Sequence, residues 1–359
     1  MIAYVLDRAN LKIKDFFYFL DYLFCDDIDY ADKSRITAPK LANVTDDDFI
    51  ICKDDQNRVR FFGLASDTST TDASDAFSIT LKPKEALFDR FIFEDDTSLL
   101  STGIEDYIAD CITDNWVSSG DNLMDRAFIT PTAVTHTPVA ASLGSIVNLE
   151  GGVFNLKTML GNAKERYGIF VDFVLTDTSP AIATGPQLAV RIYKDSSGIV
   201  PIDTDVSDIS EISEVYSVDV LAKLQVKWLN TTTEAVTYRT FYLTDDRTVT
   251  EDPDDPDRTD GIVKAIYVEA ETEAGMLDAV TQEFQQNRYE HKISFSLREG
   301  SELYLPDDYY VGRQCMIETK TGVKASLITA IETESGSGVR RITMGKLRVT
   351  LTSKLRGKI

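Results

Sequence analysis

Histidine and cysteine are scarce in this 359-residue chain, with two of the first and four of the second. His136 and His291 stand far apart, and no HExxH or other paired spacing occurs, which argues against a histidine-based zinc site. Both histidines read as strand residues, packed or at the surface. Cys25, Cys52, Cys111 and Cys315 form no CxxC pair, and their spacing suggests no disulfide framework. They read as buried thiols of a protein made in a reducing cytoplasm, and nothing near them supports a Cys–His nucleophile. A GxSxG nucleophile elbow and a GxGxxG dinucleotide fingerprint are both absent. Long apolar runs are missing too. "FFYFLDYLF" (16–24) falls far below the roughly 20 residues of a membrane-spanning helix and reads as buried strand or core. No signal peptide opens the sequence. Basic charge is in short supply: 37 Lys and Arg against 59 Asp and Glu give a net charge of −22. Such a surface repels phosphate, which argues against sequence-specific nucleic-acid binding but suits a wall that DNA passes without sticking.

What the chain does hold is a hydrophobic fraction of 43%, enough for proper cores, and a length that suits about two to four domains. Its many carboxylates allow a glycosidase pair in principle, but an acidic protein offers many chance pairs. The acids of "FIFEDD" (91–96) follow a strand and read as turn residues. The acid-rich stretch "TVTEDPDDPDRTDG" (248–261) fails as an EF-hand. Counting from Asp255, Asp260 takes the glycine position and Ile266 the position of the bidentate glutamate. Another calcium geometry through Asp252, Asp254 or Asp257 stays open, while Pro253 and Pro256 favour a solvated connector. "GSGVRRITMGK" (336–346) resembles a phosphate loop only superficially, since its spacing is wrong and Leu347 stands where Ser or Thr should bind magnesium. It reads as turn plus strand. Residues 340–359 carry Arg340, Arg341, Lys346, Arg348, Lys354, Arg356 and Lys358 without an acid. This basic end is either solvated or a contact for an acidic neighbour, such as another copy of the chain. No residue is assigned a catalytic, cofactor or metal role. Asn43 and Asn230 sit in glycosylation-type triplets, which carry weight only in a secreted protein.

Along the chain, residues 1–96 read as all-β, with strands at "IAYVL", "FFYFLDYLF", "DFIIC", "VRFFGLA" and "AFSITL". "KDDQNR" (53–58) has hairpin composition. The pattern changes at residue 100. Thr102 and Glu105 form a capping box, followed by Ile104, Tyr107, Ile108, Cys111 and Ile112 on one helical face. A second helix carries Leu156, Met159, Leu160 and Ala163, with Lys164 and Arg166 at its end and Gly168 to stop it. Strands at 169–176 and 187–193 make residues 100–195 α+β. Two long strands, "VYSVDVLAKLQVKWLN" and "AVTYRTFYLT", precede the acidic loop. Strand 261–270 and a helix bearing Met276, Leu277, Val280 and Phe284 come next, and the chain is β again from Tyr289. Residues 47–69 and 312–334 share a layout of strand, polar turn and strand, which suggests two copies of one β unit. Any two hairpins share that much, so the alternative stays open.

This order of elements resembles the tail hub, or baseplate hub, proteins of long-tailed bacteriophages and phage-like particles. "YVLDRANLKI", "DDDFIICKDDQNRVRFFGLA", "ITLKPKEALFDRFIF", "IEDYIADCI", "NLKTMLGNAKERYGI", "YRTFYL" and "PDDYYVGRQCMIETKTGVKASLITAIETE" carry the likeness. It is one of pattern over nearly the full length, and none of these motifs is an active-site signature. It implies a mainly β fold with α+β insertions: two small antiparallel β-barrels of tail-tube type plus two inserted α+β domains. The first barrel would span 1–97, the insertion 98–210, the second barrel 211–245 with 288–359, and a small strand–helix insertion 246–287.

The implied function is structural and non-enzymatic. A homotrimer would form a pseudo-sixfold ring that adapts the tail tube to the threefold tip and surrounds the DNA channel. Its partners would be a distal tail or tail-tube protein above, a fibre, spike or lysin protein below, and a tape-measure protein. The location would be the virion tail tip, assembled in the host cytoplasm, without cofactor, metal or membrane anchor. Since the sequence stops at Ile359, a hydrolase or fibre-binding activity would fall to another protein. Two alternatives remain: a tail protein that binds cell-surface carbohydrate through Trp116 or Trp228, and a carboxylate-based cell-wall hydrolase.

Overall fold

The structure is a computed structural model. It describes residues 1–39, 42–70, 76–93, 98–121, 125–138, 146, 152–176, 186–216, 220–244, 248–286, 291–301, 308–319 and 322–345. The chain is mainly β, and most strand pairs are antiparallel.

The first β unit holds β1 (Ile2–Leu6), β2 (Ile13–Tyr18), β3 (Tyr22–Asp27), β4 (Ser34–Pro39), β5 (Phe49–Lys53), β6 (Val59–Thr70) and β7 (Ala76–Pro83). β5 is apolar from Phe49 to Cys52 because both its faces are covered. Phe49 and Ile51 enter one core, and Ile50 and Cys52 the other. The β5–β6 turn forms the hairpin its composition predicts. Asp54 accepts hydrogen bonds from the Gln56 and Arg58 amides and from Arg58 Nε, and Asn57 takes φ 62°. "FFYFLDYLF", expected as one buried segment, is instead two strands around a turn. Alternation sends Phe17 inward and leaves Tyr18 74% exposed, while Leu20 in the turn is 83% exposed.

The chain continues through β8 (Phe91–Phe93), α1 (Ile104–Ile112), β9 (Ile129–Ala133), β10 (Val153–Asn155), α2 (Leu156–Tyr167), β11 (Ile169–Leu175) and β12 (Leu188–Lys194). Order β11–β12–β9 makes a three-stranded sheet. The apolar faces of α1 and α2 share a core with Leu6, Phe49 and Leu64 of the first unit. α2 runs as predicted, from an Asn155 side-chain cap to Gly168 at φ 66°. α1 departs from the prediction: its N-cap is Gly103, at φ 139°, not Thr102. Glu105 does not reach back to a capping residue. Its buried carboxylate accepts from Thr135 Oγ1 at 2.6 Å, Thr137 N at 2.7 Å and Thr137 Oγ1 at 2.8 Å. His136, expected on a strand, lies in the loop after β9.

β13 (Val200–Ile202) and β14 (Ile209–Tyr216) follow. Next come β15 (Leu221–Asn230), β16 (Val236–Leu243), β17 (Val249–Thr250), β18 (Ile262–Ala270) and α3 (Glu273–Gln286). The "VYSVDVLAKLQVKWLN" segment is therefore not one strand; Val215 and Tyr216 end β14 in the large sheet, and residues 221–230 form β15 in another. Residues 221–243, expected in the second barrel, instead pair with 249–270 in a separate four-stranded sheet, order β17–β16–β15–β18. One face of that sheet needs α3: Leu224, Val226 and Phe241 pack on Met276, Val280 and Phe284. Leu277, assigned to the same stripe, is 37% exposed.

The last strands are β19 (His291–Arg298), β20 (Gln314–Thr319), β21 (Gly322–Glu334) and β22 (Val339–Met344). Together with β14 they repeat the first unit. The first runs β3–β4–β7–β6–β5 across the sheet and the second runs β14–β19–β22–β21–β20. Numbered by chain order within each unit, both read first, second, fifth, fourth, third. The fourth strand is the long one in each case, at 12 and 13 residues, and each carries a register shift against the fifth, at Ala65/Thr68 and Ile328/Ala330. The faint likeness of 47–69 to 312–334 is therefore a shared hairpin of two units with one topology.

The two units are not separate barrels. Residues 330–334 of β21 pair antiparallel with residues 27–23 of β3, which makes one 13-stranded sheet. Its pairing path stays open among the described residues.

Gly63 shows how tightly β6 and β7 approach. A Cβ there would lie 2.1 Å from the Lys82 carbonyl oxygen. Gly63→Ala is expected to lower stability by about 1–3 kcal/mol, as read by denaturant unfolding. Burial acts to raise the Glu105 carboxyl, but its hydrogen bonds outweigh this and hold it below the ordinary value. Its stabilising contribution is therefore present above the unfolded-chain value and lost as pH falls through the lowered one. Glu105→Ala is expected to cost about 1–3 kcal/mol at neutral pH, with the difference from wild type shrinking in acid.

Candidate functional site

Among the described residues, no three His, Cys, Asp or Glu side chains stand together as a metal set. The acidic loop shows where its carboxylates are used. Asp252 accepts from the Asp254 amide, Asp255 from the Asp257 amide and Asp260 from the Gly261 amide, each at 2.9 Å. The first two are local Asx turns and the third a contact with the next residue, so the carboxylates are spread along an exposed connector instead of converging. The loop links β17 to β18 within the four-stranded sheet. Arg258 anchors it, with its guanidinium 4.7 Å from the Tyr242 ring centroid and its backbone bridged to Thr244.

The cysteines are all buried, as expected. Burial pushes the Cys25 and Cys315 thiols up to about 12 and Cys52 higher still, which leaves them unreactive at neutral pH. The two tryptophans pack against cores. Trp116 is buried, donates Nε1–H to Leu87 O at 3.0 Å, and stands edge-on to Phe88. Trp228 is half-buried against the α3 core and donates to Ala270 O at 3.0 Å. The acids 94–96 and the basic residues from Lys346 onward lie outside the described residues. Arg340 and Arg341 lie on β22, between β19 and β21. No described helix is long and apolar enough to cross a membrane.

The candidate functional surface is formed by strand edges and faces. β14 lies at one end of the large sheet and pairs, among the described residues, only with β19. Its residues Ile212 and Val215 are 43% and 47% exposed. A register shift between Ser210 and Ser213 shapes it, with Glu211 at φ 55° and its carboxylate accepting from Ser296 Oγ at 2.8 Å. Between β14 and β20 opens a groove of about 930 Å³. Ile212, Met316 and Val323 are among its apolar lining, and Asp203, Asp205, Glu214 and Glu318 make its acidic lining. Thr319 Oγ1 spans the gap to Glu214 Oε1 at 3.0 Å. Little in the sequence signals this surface. In "ISEISEVY" the apolar residues Ile209, Ile212 and Val215 recur every third position, not every second, and only topology shows that, among the described residues, its second edge has no strand beside it.

No family model matches the sequence, and no curated protein matches it. Solved structures do share its fold. They include the tail protein from Neisseria meningitidis MC58 at TM-score 0.56 and 10% identity, covering 96% of both chains. The prophage MuSo2 43 kDa tail protein from Shewanella oneidensis follows at 0.53 and 12%, covering 96% of this chain and 98% of that one. Prophage tail protein gp18 from Listeria monocytogenes EGD-e stands at 0.52 and 9%, covering 99% and 97%. The fold is thus that of phage tail proteins, end to end.

The exposed His136–Asp106 pair offers a titratable marker in the α+β region. Hydrogen bonding to Asp106 at 2.7 Å, with its charge, raises the imidazole pKa above the ordinary value. The pair's contribution is fully present below the unfolded-chain value and is lost as pH rises through the raised one. An NMR titration should place His136 above about 6.5, and Asp106→Asn should bring it back down.

Proposed function

We propose that this chain is a structural hub of the tail tip of a phage or phage-like particle. Three copies would form a ring of six β units that adapts the sixfold tail tube to the threefold tip. The observation that carries this reading is the duplicated strand order inside a tail-protein fold: a chain with two units of one topology gives six equivalent positions in a trimer. On this reading the two β units are counterparts of tail-tube barrels, and the α+β and four-stranded-sheet segments decorate them. A net charge of −22 suits the wall of a DNA channel, because phosphates are repelled instead of held. Tail-tube or distal tail protein would sit above, fibre, spike or lysin protein below, and the tape-measure protein at the channel. The role needs no catalysis, and the inward-facing tryptophans weigh against glycan binding through them.

Mass measurement on the full-length protein, alone and in assembled particles, should give three times the mass of one chain. A single-chain mass within the particle would overturn the proposal. Incubation with purified host cell wall should release no fragments.

A further inference from the structure

The two β units are joined within the chain by a specific contact, and the same contact is half-built at each end. In the internal joint, the distal half of a fourth strand, β21, pairs with the first strand of the other unit, β3. The equivalent of β21 is β6, and the equivalent of β3 is β14. The distal half of β6, residues 66–70, pairs with β7, and among the described residues no strand takes its other side. β14 likewise pairs, among the described residues, only with β19.

We infer that β6 of one copy pairs antiparallel with β14 of the next, reproducing between chains the β21–β3 joint found within each chain. This rests on the ring reading above and adds the surface and its register. The register follows from the two ladders. Leu81 pairs with Ala65 and Ile79 with Thr68 in the first unit; Met344 pairs with Ile328 and Ile342 with Ile331 in the second. Thr68 therefore corresponds to Ile331, and Ser69 to Glu332. On the other side, Ser34 pairs with Leu81 as Ile293 pairs with Met344. Leu23 pairs with Arg35, one residue along from Ser34, as Ser213 pairs with Ser294, one along from Ile293. Leu23 thus corresponds to Ser213, Cys25 to Val215 and Asp26 to Tyr216. In the internal joint Glu332 faces Cys25 and Ile331 faces Asp26. Between chains, Ser69 should face Val215, and Thr68 should face Tyr216.

Three observations favour a second copy as the occupant. The internal joint shows that this edge chemistry already works for this sequence. The exposed Ile212 and Val215 would be covered, and a sheet edge flanked by apolar side chains is a poor surface to leave in water. The groove beside β14 also leaves room for an incoming strand. Because the joint runs from the first unit of one chain to the second unit of another, it is head-to-tail, and it closes only as a ring.

The test uses the full-length chain, whose native cysteines are all buried. Facing Cα atoms in paired strands lie about 4.5–5.5 Å apart, within disulfide reach. Ser69→Cys and Val215→Cys are made singly and together, with Thr68→Cys and Tyr216→Cys as a second pair and Phe16→Cys with Val215→Cys as an out-of-place control. Equal parts of the two single variants, mixed and oxidised, should give a two-chain product. The double variant should give covalent trimers, and the control neither. A three-chain mass without a cross-link in either pair, or with equal cross-linking in the control, overturns the joint but leaves the ring reading standing. A single-chain mass at the highest soluble concentration, with no cross-link, overturns both.

Discussion

Backbone pairing at sheet edges is the constraint on which this structure depends. A strand at the end of a sheet presents a row of amides and carbonyls that must find partners in protein or water. The chain meets this need by making its fourth strands longer than their neighbours. β21 pairs with β20 over its first half and then, past the end of β20, offers the same side to β3. One strand thereby serves two units. That single overlap turns two small sheets into a 13-stranded one and fixes the order in which the units follow each other.

Packing then builds on this frame. The α+β region covers one face of the first unit, so that Leu6, Phe49 and Leu64 share a core with Ile108, Met159 and Leu160. At the same seam lie charges that are buried, as in Glu85 and Lys164, or half-buried, as in Lys84. Lys84 stands 3.9 Å from Glu85, and the Lys164 ammonium lies 4.9 Å from the Tyr30 ring centroid. Burial raises the Glu85 carboxyl above its ordinary value, although Lys84 and Lys164 pull the other way. Burial would lower Lys84, yet Glu85, Asp26 and Asp172 hold it above its ordinary value. Removing one member alone would strand the rest in a poorly solvating environment. The second unit has its own core of Ile293, Phe295, Cys315, Ile328 and Ile342. The four-stranded sheet and α3 have a third, around Leu224, Phe241 and Met276.

Local signals read well wherever one residue type answers one local need. Gly168 stops α2 because it takes the left-handed conformation, and the β5–β6 turn follows from Asp54 and Asn57. Signals failed where a side chain had two available partners. Glu105 has the spacing of a capping box, but Thr135 and Thr137, some thirty residues away, offer it better-placed donors. Val236 and Tyr238 look like core strand residues, yet they lie on the face of their sheet opposite α3 and stay exposed. Trp116 has the composition of a binding platform and serves as core, because the Leu87 carbonyl satisfies its indole.

By itself, the sequence determined the mainly β character, the two helices of the α+β region, the buried thiols and the acidic surface, since each depends on residue type and short-range periodicity. It also held a faint sign of duplication. Only the tertiary structure decided that the duplicated hairpins belong to units of identical strand order, that residues 221–243 form a separate sheet, and that β14 ends the large sheet among the described residues. These are matters of which strand lies beside which. Backbone hydrogen bonds carry that information, and they are the same for every residue except proline.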